Sequence, residues 1–236
     1  MTLTRSYKYI VICLTGILLS YGLVAARWKL KDYSRYDYKS FEQHAKARQL
    51  LSFEHIDYPL LQAAVFYETN RQRAIHDLPL FRHSEALEKA AREHSKDMVV
   101  QNFFSHRSKV PGKRTLPQRL ALVGLENVTM AENIATVFAI DYRAGQPVFV
   151  PHQNGGYFSY QYKGEPIKKR TYLSVAANVV DQWMHSPGHR RNILNPEYRY
   201  LGVGAAFFRD ANFHGMPSFK VTQNFADRDK SMLKKE

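Results

Sequence analysis

Hydrophobic and polar positions divide the chain into an uncharged leader, a helical first half and a strand-rich end. Residues 9–26 carry no charge, follow Arg5 and Lys8, and finish in Val24-Ala25-Ala26 before Arg27. This predicts an export signal with a small-residue cleavage point, or an uncleaved membrane anchor, because 18 residues are close to the minimum for crossing a bilayer. Residues 27–39 are basic and tyrosine-rich without an apolar stripe, and are expected to be a linker or a loosely docked arm. A short helix is predicted over residues 40–51. Pro59 then opens a helix carrying Leu60, Leu61, Ala64, Val65 and Tyr67 and reaching Asn70 and Arg71. Ser84 is a predicted N-cap for the next helix, in which Leu87, Ala90, Ala91, His94 and Met98 recur at spacings of three and four. Residues 116–123 form another short helix that Gly124 ends.

In the second half, a loop is expected to deliver Ala131-Glu132-Asn133-Ile134-Ala135. Residues 141–170 are rich in Gly, Pro, Tyr and Phe and alternate over 157–162, which predicts an inserted hairpin or flap. Helical spacing returns over 173–184 through Val175, Val179, Val180 and Trp183. Ser186-Pro187-Gly188 is expected to break it, with His189 just beyond. Two β-type runs follow, 201–208 and then Phe219, Val221, Gln223 and Phe225 alternating with Lys220, Thr222 and Asn224. Helices first, strands late and no βαβ alternation predict an α+β fold of mixed layers. The expected organisation is a leader over 1–26, a basic linker with a short helix over 27–58, one domain over 59–226 with the insertion at about 141–170, and a charged tail over 227–236.

Composition narrows the class. Hydrophobic residues make up 44% of the 236, enough for one sizeable core and too many for a disordered chain. The single cysteine, Cys13, lies inside the leader, so an exported domain would hold its fold by packing without disulfides. A net charge of +13 favours contact with anionic surfaces. No basic and aromatic pattern of a nucleic-acid module is present, so no specific nucleic-acid partner is expected.

Several phrases occur in a recognisable order: Thr69-Asn70-Arg71-Gln72-Arg73; Asp97-Met98 leading to Phe103-Phe104-Ser105-His106; Arg119 with Gly124; and Ala131-Glu132-Asn133-Ile134-Ala135. Trp183-Met184-His185-Ser186-Pro187-Gly188-His189-Arg190-Arg191-Asn192-Ile193-Leu194 follows, then Leu201-Gly202-Val203-Gly204 and Thr222-Gln223-Asn224-Phe225. As a set they resemble the CAP family of SCP-like extracellular proteins, in its cysteine-poor bacterial branch. The resemblance implies an α-β-α sandwich with a central antiparallel sheet and a cleft to which His106, Glu132 and His189 contribute, with Asn133 and Ser186 beside them. Many eukaryotic relatives carry a further glutamate where this chain has Ser186, so the four-residue acidic site is incomplete. The insertion at 141–170 is longer than a compact member needs and is expected to reshape or cover the cleft.

Two imidazoles and a carboxylate suit zinc or another divalent metal, with Glu132 as ligand or as the base that takes a proton from bound water. The plainer alternative is that His106 and His189 bond across the cleft, that Glu132 orients one ring and that nothing binds. Ser105 and Ser186 adjoin the site histidines, but neither has a visible base and orienting group. His94 lies on an apolar stripe and is read as a core histidine with a hydrogen-bond partner, outside the site. Three functions compete: an exported, extracellular or periplasmic binding module for lipid, glycan or an anionic envelope component; a metal-assisted hydrolase with Glu132 as its catalytic candidate; and a structural protein with a vestigial cleft.

Overall fold

The computed structural model describes residues 28–229. The leader over residues 1–26 and most of the charged tail lie outside the described residues. Among the described residues no helix is long and apolar enough to cross a membrane.

The helices begin where their caps place them. Helix α1, Tyr38–Glu42, starts at Asp37, whose carboxylate accepts the Ser40 amide. A single 3-10 turn, Ala45–Arg48, completes the segment predicted as one helix. Helix α2, Tyr58–Ile75, begins at Asp57, which accepts the Leu60 amide, with Pro59 in the first turn where its missing N–H costs nothing. Strand β1, Arg82–His83, leads into α3, Glu85–Val100, capped by Ser84. Helix α4, Leu116–Ala121, opens on a capping box between Thr115 and Gln118. Strand β2, Met130–Phe138, precedes α5, Tyr172–Met184, and α6, Pro187–Leu194. Strands β3, Tyr200–Asp210, and β4, Met216–Ala226, finish the fold.

The sheet runs in the order β1-β3-β4-β2, with β2, β3 and β4 antiparallel and the two-residue β1 added in parallel to β3. Helices α2 and α5 cover one face and α3 covers the other, so the fold is an α-β-α sandwich. Phe219, Val221 and Phe225 face the α2 and α5 layer with Leu201, Val203 and Ala205. Because α3 covers the opposite face, the intervening Lys220, Thr222 and Asn224 are buried as well, and each is satisfied locally. Lys220 Nζ, for example, donates to the carbonyls of Met98 and Phe103 at 2.8 and 2.7 Å.

Four local expectations are corrected. Residues 131–135 are strand, not loop: Glu132 pairs with Asn224 and Asn133 with Gln223 across the β2–β4 ladder. A strand position sends these two consecutive side chains to opposite faces. The helix breaks as expected after Met184, but His189 lies in the first turn of a second helix, α6, which Pro187 opens, and not in a loop. Residues 157–162 form no strand; they make one isolated bridge, Phe149 with Ser159. The insertion buries Tyr142, Val150 and Phe158 against Phe138, Phe213 and Met216. That is the end of β2 six residues from Glu132, about 20 Å away at strand rise, so it does not cover the cleft.

The basic segment at 28–36 is docked, not loose. Trp28 is buried and meets Tyr33, Tyr36, Phe41, His44 and Tyr67 at centroid distances of 5.3 to 6.1 Å. Tyr33 stacks on His83 at 3.7 Å and donates to Glu88 at 3.0 Å. Aromatic area without periodicity is invisible to a stripe search, which is why the segment reads as a linker.

Helix α3 lies against β3 at Gly202 and Gly204, where an added Cβ would stand 2.0 Å from Glu88 N and 2.1 Å from the Ala91 carbonyl carbon. Backbone cannot yield as a flexible side chain does. Gly204→Ala is expected to cost about 3 kcal/mol and lower the melting temperature by about 10 °C; thermal unfolding checks this, and an unchanged midpoint would contradict the contact.

Candidate functional site

Glu132 and Asn133, neighbours on the edge strand β2, hold the two site histidines from opposite faces of the sheet. On the α3 face the Glu132 side chain is only 3% exposed. Its Oε2 accepts from Arg119 Nη2 at 2.6 Å, and its Oε1 accepts from His106 Nδ1 at 2.9 Å. With the Asn224 amide nitrogen turned towards it, Oε2 takes a second bond at 3.2 Å while the Asn224 oxygen accepts from Ala91 N at 3.1 Å. Buried His94 stands 3.8 Å from Oε1.

Arg119 does more than neutralise the carboxylate. Its Nη1 donates to the carbonyls of His106 and Lys113 at 3.2 and 3.1 Å. One buried guanidinium on α4 therefore ties both ends of the loop that carries His106 to the carboxylate on β2. His106 itself is 55% exposed, so its ring is oriented by the buried pair but open to solvent.

On the other face, Asn133 is fully buried. Its amide donates to the His189 carbonyl at 3.1 Å and to Gln223 at 3.2 Å, and its oxygen accepts from Asn192 at 2.9 Å. Gln223 continues the chain to Thr69 on α2 at 2.7 Å. This ladder places α6, and with it His189, whose ring centroid lies 6.5 Å from that of His106 at an interplanar angle of 48°. Burial and the neighbouring His106 charge lower the His189 pKa from its ordinary value, which favours the neutral ring.

Ser186 is half-buried at the start of α6, where its carbonyl accepts from Arg190 N at 2.8 Å and its side chain makes no capping bond. Ser105 accepts the Arg107 amide on its hydroxyl at 3.0 Å. Neither hydroxyl is bonded to a histidine, so the geometry offers no serine nucleophile. Among the described residues no group of three His, Cys, Asp or Glu side chains is arranged to hold a metal. Arg119 and Asn224 bond one Glu132 oxygen and His106 bonds the other, so in this arrangement Glu132 orients an imidazole.

Sequence reasoning missed Arg119 and Asn224 as partners of Glu132. Each stood in a recognised phrase, but pairing between a helix and a strand 13 positions apart, or between strands, has no periodic signature. His94 is a core histidine, as expected from its stripe, yet it lies directly beneath the site. Its Nε2–H donates to the Ser105 carbonyl at 3.1 Å, leaving Nδ1 without a partner.

Two outcomes follow from this buried cluster. Arg119→Met leaves an unpaired buried carboxylate and is expected to cost about 3–5 kcal/mol; adding Glu132→Gln should recover part of that loss in urea denaturation, and full additivity would contradict the pairing. Burial, opposed by the Glu132 charge, lowers the His94 pKa from 6.5 to about 4. The unfolded chain therefore takes up this proton first, so the contribution is intact above pH 6.5 and declines as pH falls towards 4. The slope from this residue approaches about 1.4 kcal/mol per pH unit in that window, and His94→Gln should flatten it. Denaturation midpoints between pH 4 and 7 provide the check.

Residues 128–225 match the family model described as CAP, the cysteine-rich secretory protein family. YkwD of Bacillus subtilis (strain 168) is 30% identical over 136 residues, covering 58% of this chain and 38% of YkwD. The membrane protein YlbC of the same organism is 29% identical over 160 residues, covering 68% of this chain and 32% of YlbC. The chain thus spans about a third of the length of these curated relatives. Its fold is similar to the crystal structure of an extracellular protein containing an SCP domain from Bacillus anthracis str. Ames, with a TM-score of 0.50 and 26% identity, covering 76% of this chain and 45% of that one. The sandwich, the order of its phrases and the match over residues 128–225 agree, and the chain is similar to the CAP family.

Proposed function

We propose that this CAP-domain protein is an exported binding module that engages an envelope or extracellular component through the cleft beside His106 and His189. The observation that carries this reading is the investment of buried polar groups in presenting an exposed ring. Glu132, Arg119 and Asn224 form a buried network in which both carboxylate oxygens are bonded, and its outward product is an oriented, solvent-facing His106. Unsatisfied buried polar groups are costly, and an apolar cluster would hold the fold as well, so a network that ends at an open cleft supports recognition there. The N-terminal export pattern and the extracellular description of the Bacillus anthracis relative support placement outside the cytoplasm.

Hydrolysis has less support. A general base must be reached by the water it deprotonates, and the Glu132 side chain is 3% exposed with its oxygens already accepting from Arg119, Asn224 and His106. Binding of the purified protein to isolated cell-envelope fractions tests the reading. His106→Ala with His189→Ala should reduce the bound fraction about tenfold while the melting temperature stays within a few degrees. Equal binding by the variant and the parent would overturn it.

A further inference from the structure

The loop that carries His106 contains more cations than the fold uses. Between residues 106 and 119 stand Arg107, Lys109, Lys113, Arg114 and Arg119. Arg119 is consumed by Glu132. Lys113 pairs with Glu93 at 2.8 Å and Asp97 at 3.7 Å. Lys109 Nζ donates to the carbonyls of Gln101 and Asn102 at 3.4 and 3.2 Å. Arg107 and Arg114 remain, both exposed and neither with a carboxylate partner among the described residues.

These two guanidinium groups share one place. With His106, Thr115, Leu116 and Glu132 they line an open cleft of about 460 Å³. The loop backbone holds them together: Ser108 N donates to the Arg114 carbonyl at 2.9 Å, and the Arg107 amide is held by Ser105. The buried Ser108 hydroxyl accepts from Val110 N at 3.1 Å, and Arg119 clamps the carbonyls of His106 and Lys113, so five hydrogen bonds tie the loop. Thr115 Oγ1 accepts the Gln118 amide, which leaves its hydroxyl proton free to donate. The one carboxylate in the cleft is neutralised from beneath by Arg119, so the field at the mouth is set by the two unpaired arginines.

We propose that this cleft is an oxyanion site, in which Arg107 and Arg114 bind a phosphate or carboxylate group carried by the protein's extracellular ligand. Guanidinium groups recognise both oxyanions through paired, charge-assisted N–H donors, and the Thr115 hydroxyl supplies a further donor. The proposal rests on the binding-module reading and names the chemistry that the same cleft selects.

The test is a titration of the full chain followed by NMR at the His106 and Arg107 resonances, with dimethyl phosphate and glucuronate as separate probes. Saturable shifts with at least one probe are expected, weakened at least tenfold in the Arg107→Gln, Arg114→Gln double variant. The Arg190→Gln, Arg191→Gln double variant removes the same charge from α6 and should stay within about twofold of the parent. Stronger binding of dimethyl phosphate assigns the site to phosphodiester polymers, and stronger binding of glucuronate assigns it to carboxylated glycans. No saturable shift with either probe, or equal weakening in both double variants, overturns the proposal. If envelope binding still depends on His106 and His189 in that case, the oxyanion assignment alone falls. If the histidine variants bind the envelope normally while the shifts persist, the module reading falls and the oxyanion site stands.

Discussion

The buried pair of Arg119 with Glu132 is the interaction on which the cleft depends. A carboxylate that is 3% exposed and a guanidinium that is 2% exposed stay charged only because each supplies what the other has lost from water. The 2.6 Å contact is the centre of a wider arrangement. It draws α4, the loop over residues 106–115, strand β2 and Asn224 of β4 to one point. Without it the loop would lose its tie to β2, and the His106 and Lys113 carbonyls would lose the donor that draws them together.

The rest of the architecture makes that point available. Gly202 and Gly204 let α3 lie on β3 closely enough that no side chain fits between, which closes the face of the sheet where Glu132 is buried. Ser95, in the middle of α3, uses this approach to bond the Gly204 carbonyl and the Thr222 hydroxyl at 3.1 and 2.8 Å. The opposite face is organised around Asn133, Gln223 and Thr69 and fixes α6 and His189. Because strand side chains alternate, two adjacent residues of one edge strand control both walls of the cleft. The insertion over 141–170 packs at the far end of that strand, so the site is built without it.

Several of these features were legible in the chain. The 3.6-residue stripe of α3, the Pro59 start of α2, the apolar alternation of β4 and the order of the family phrases led to the sandwich and to His106, Glu132 and His189. Local chemistry was misread where it competed with long-range pairing. Ala131-Glu132-Asn133 reads as loop because it is short and polar, and only the ladder with β4 makes it strand. Trp28 and Tyr33 read as linker because aromatic docking follows no period.

What the sequence by itself determined is what short-range periodicity, caps and motif order encode: the helices, the late strands, the family and the residues near the cleft. Only the tertiary structure decided what those residues do. A carboxylate's role depends on which donors reach its two oxygens, and the donors of Glu132 come from positions 106, 119 and 224 on three separate elements. Their convergence makes Glu132 the buried anchor of an exposed histidine. It also left two arginines, ordinary in composition, as the unpaired charges of the cleft.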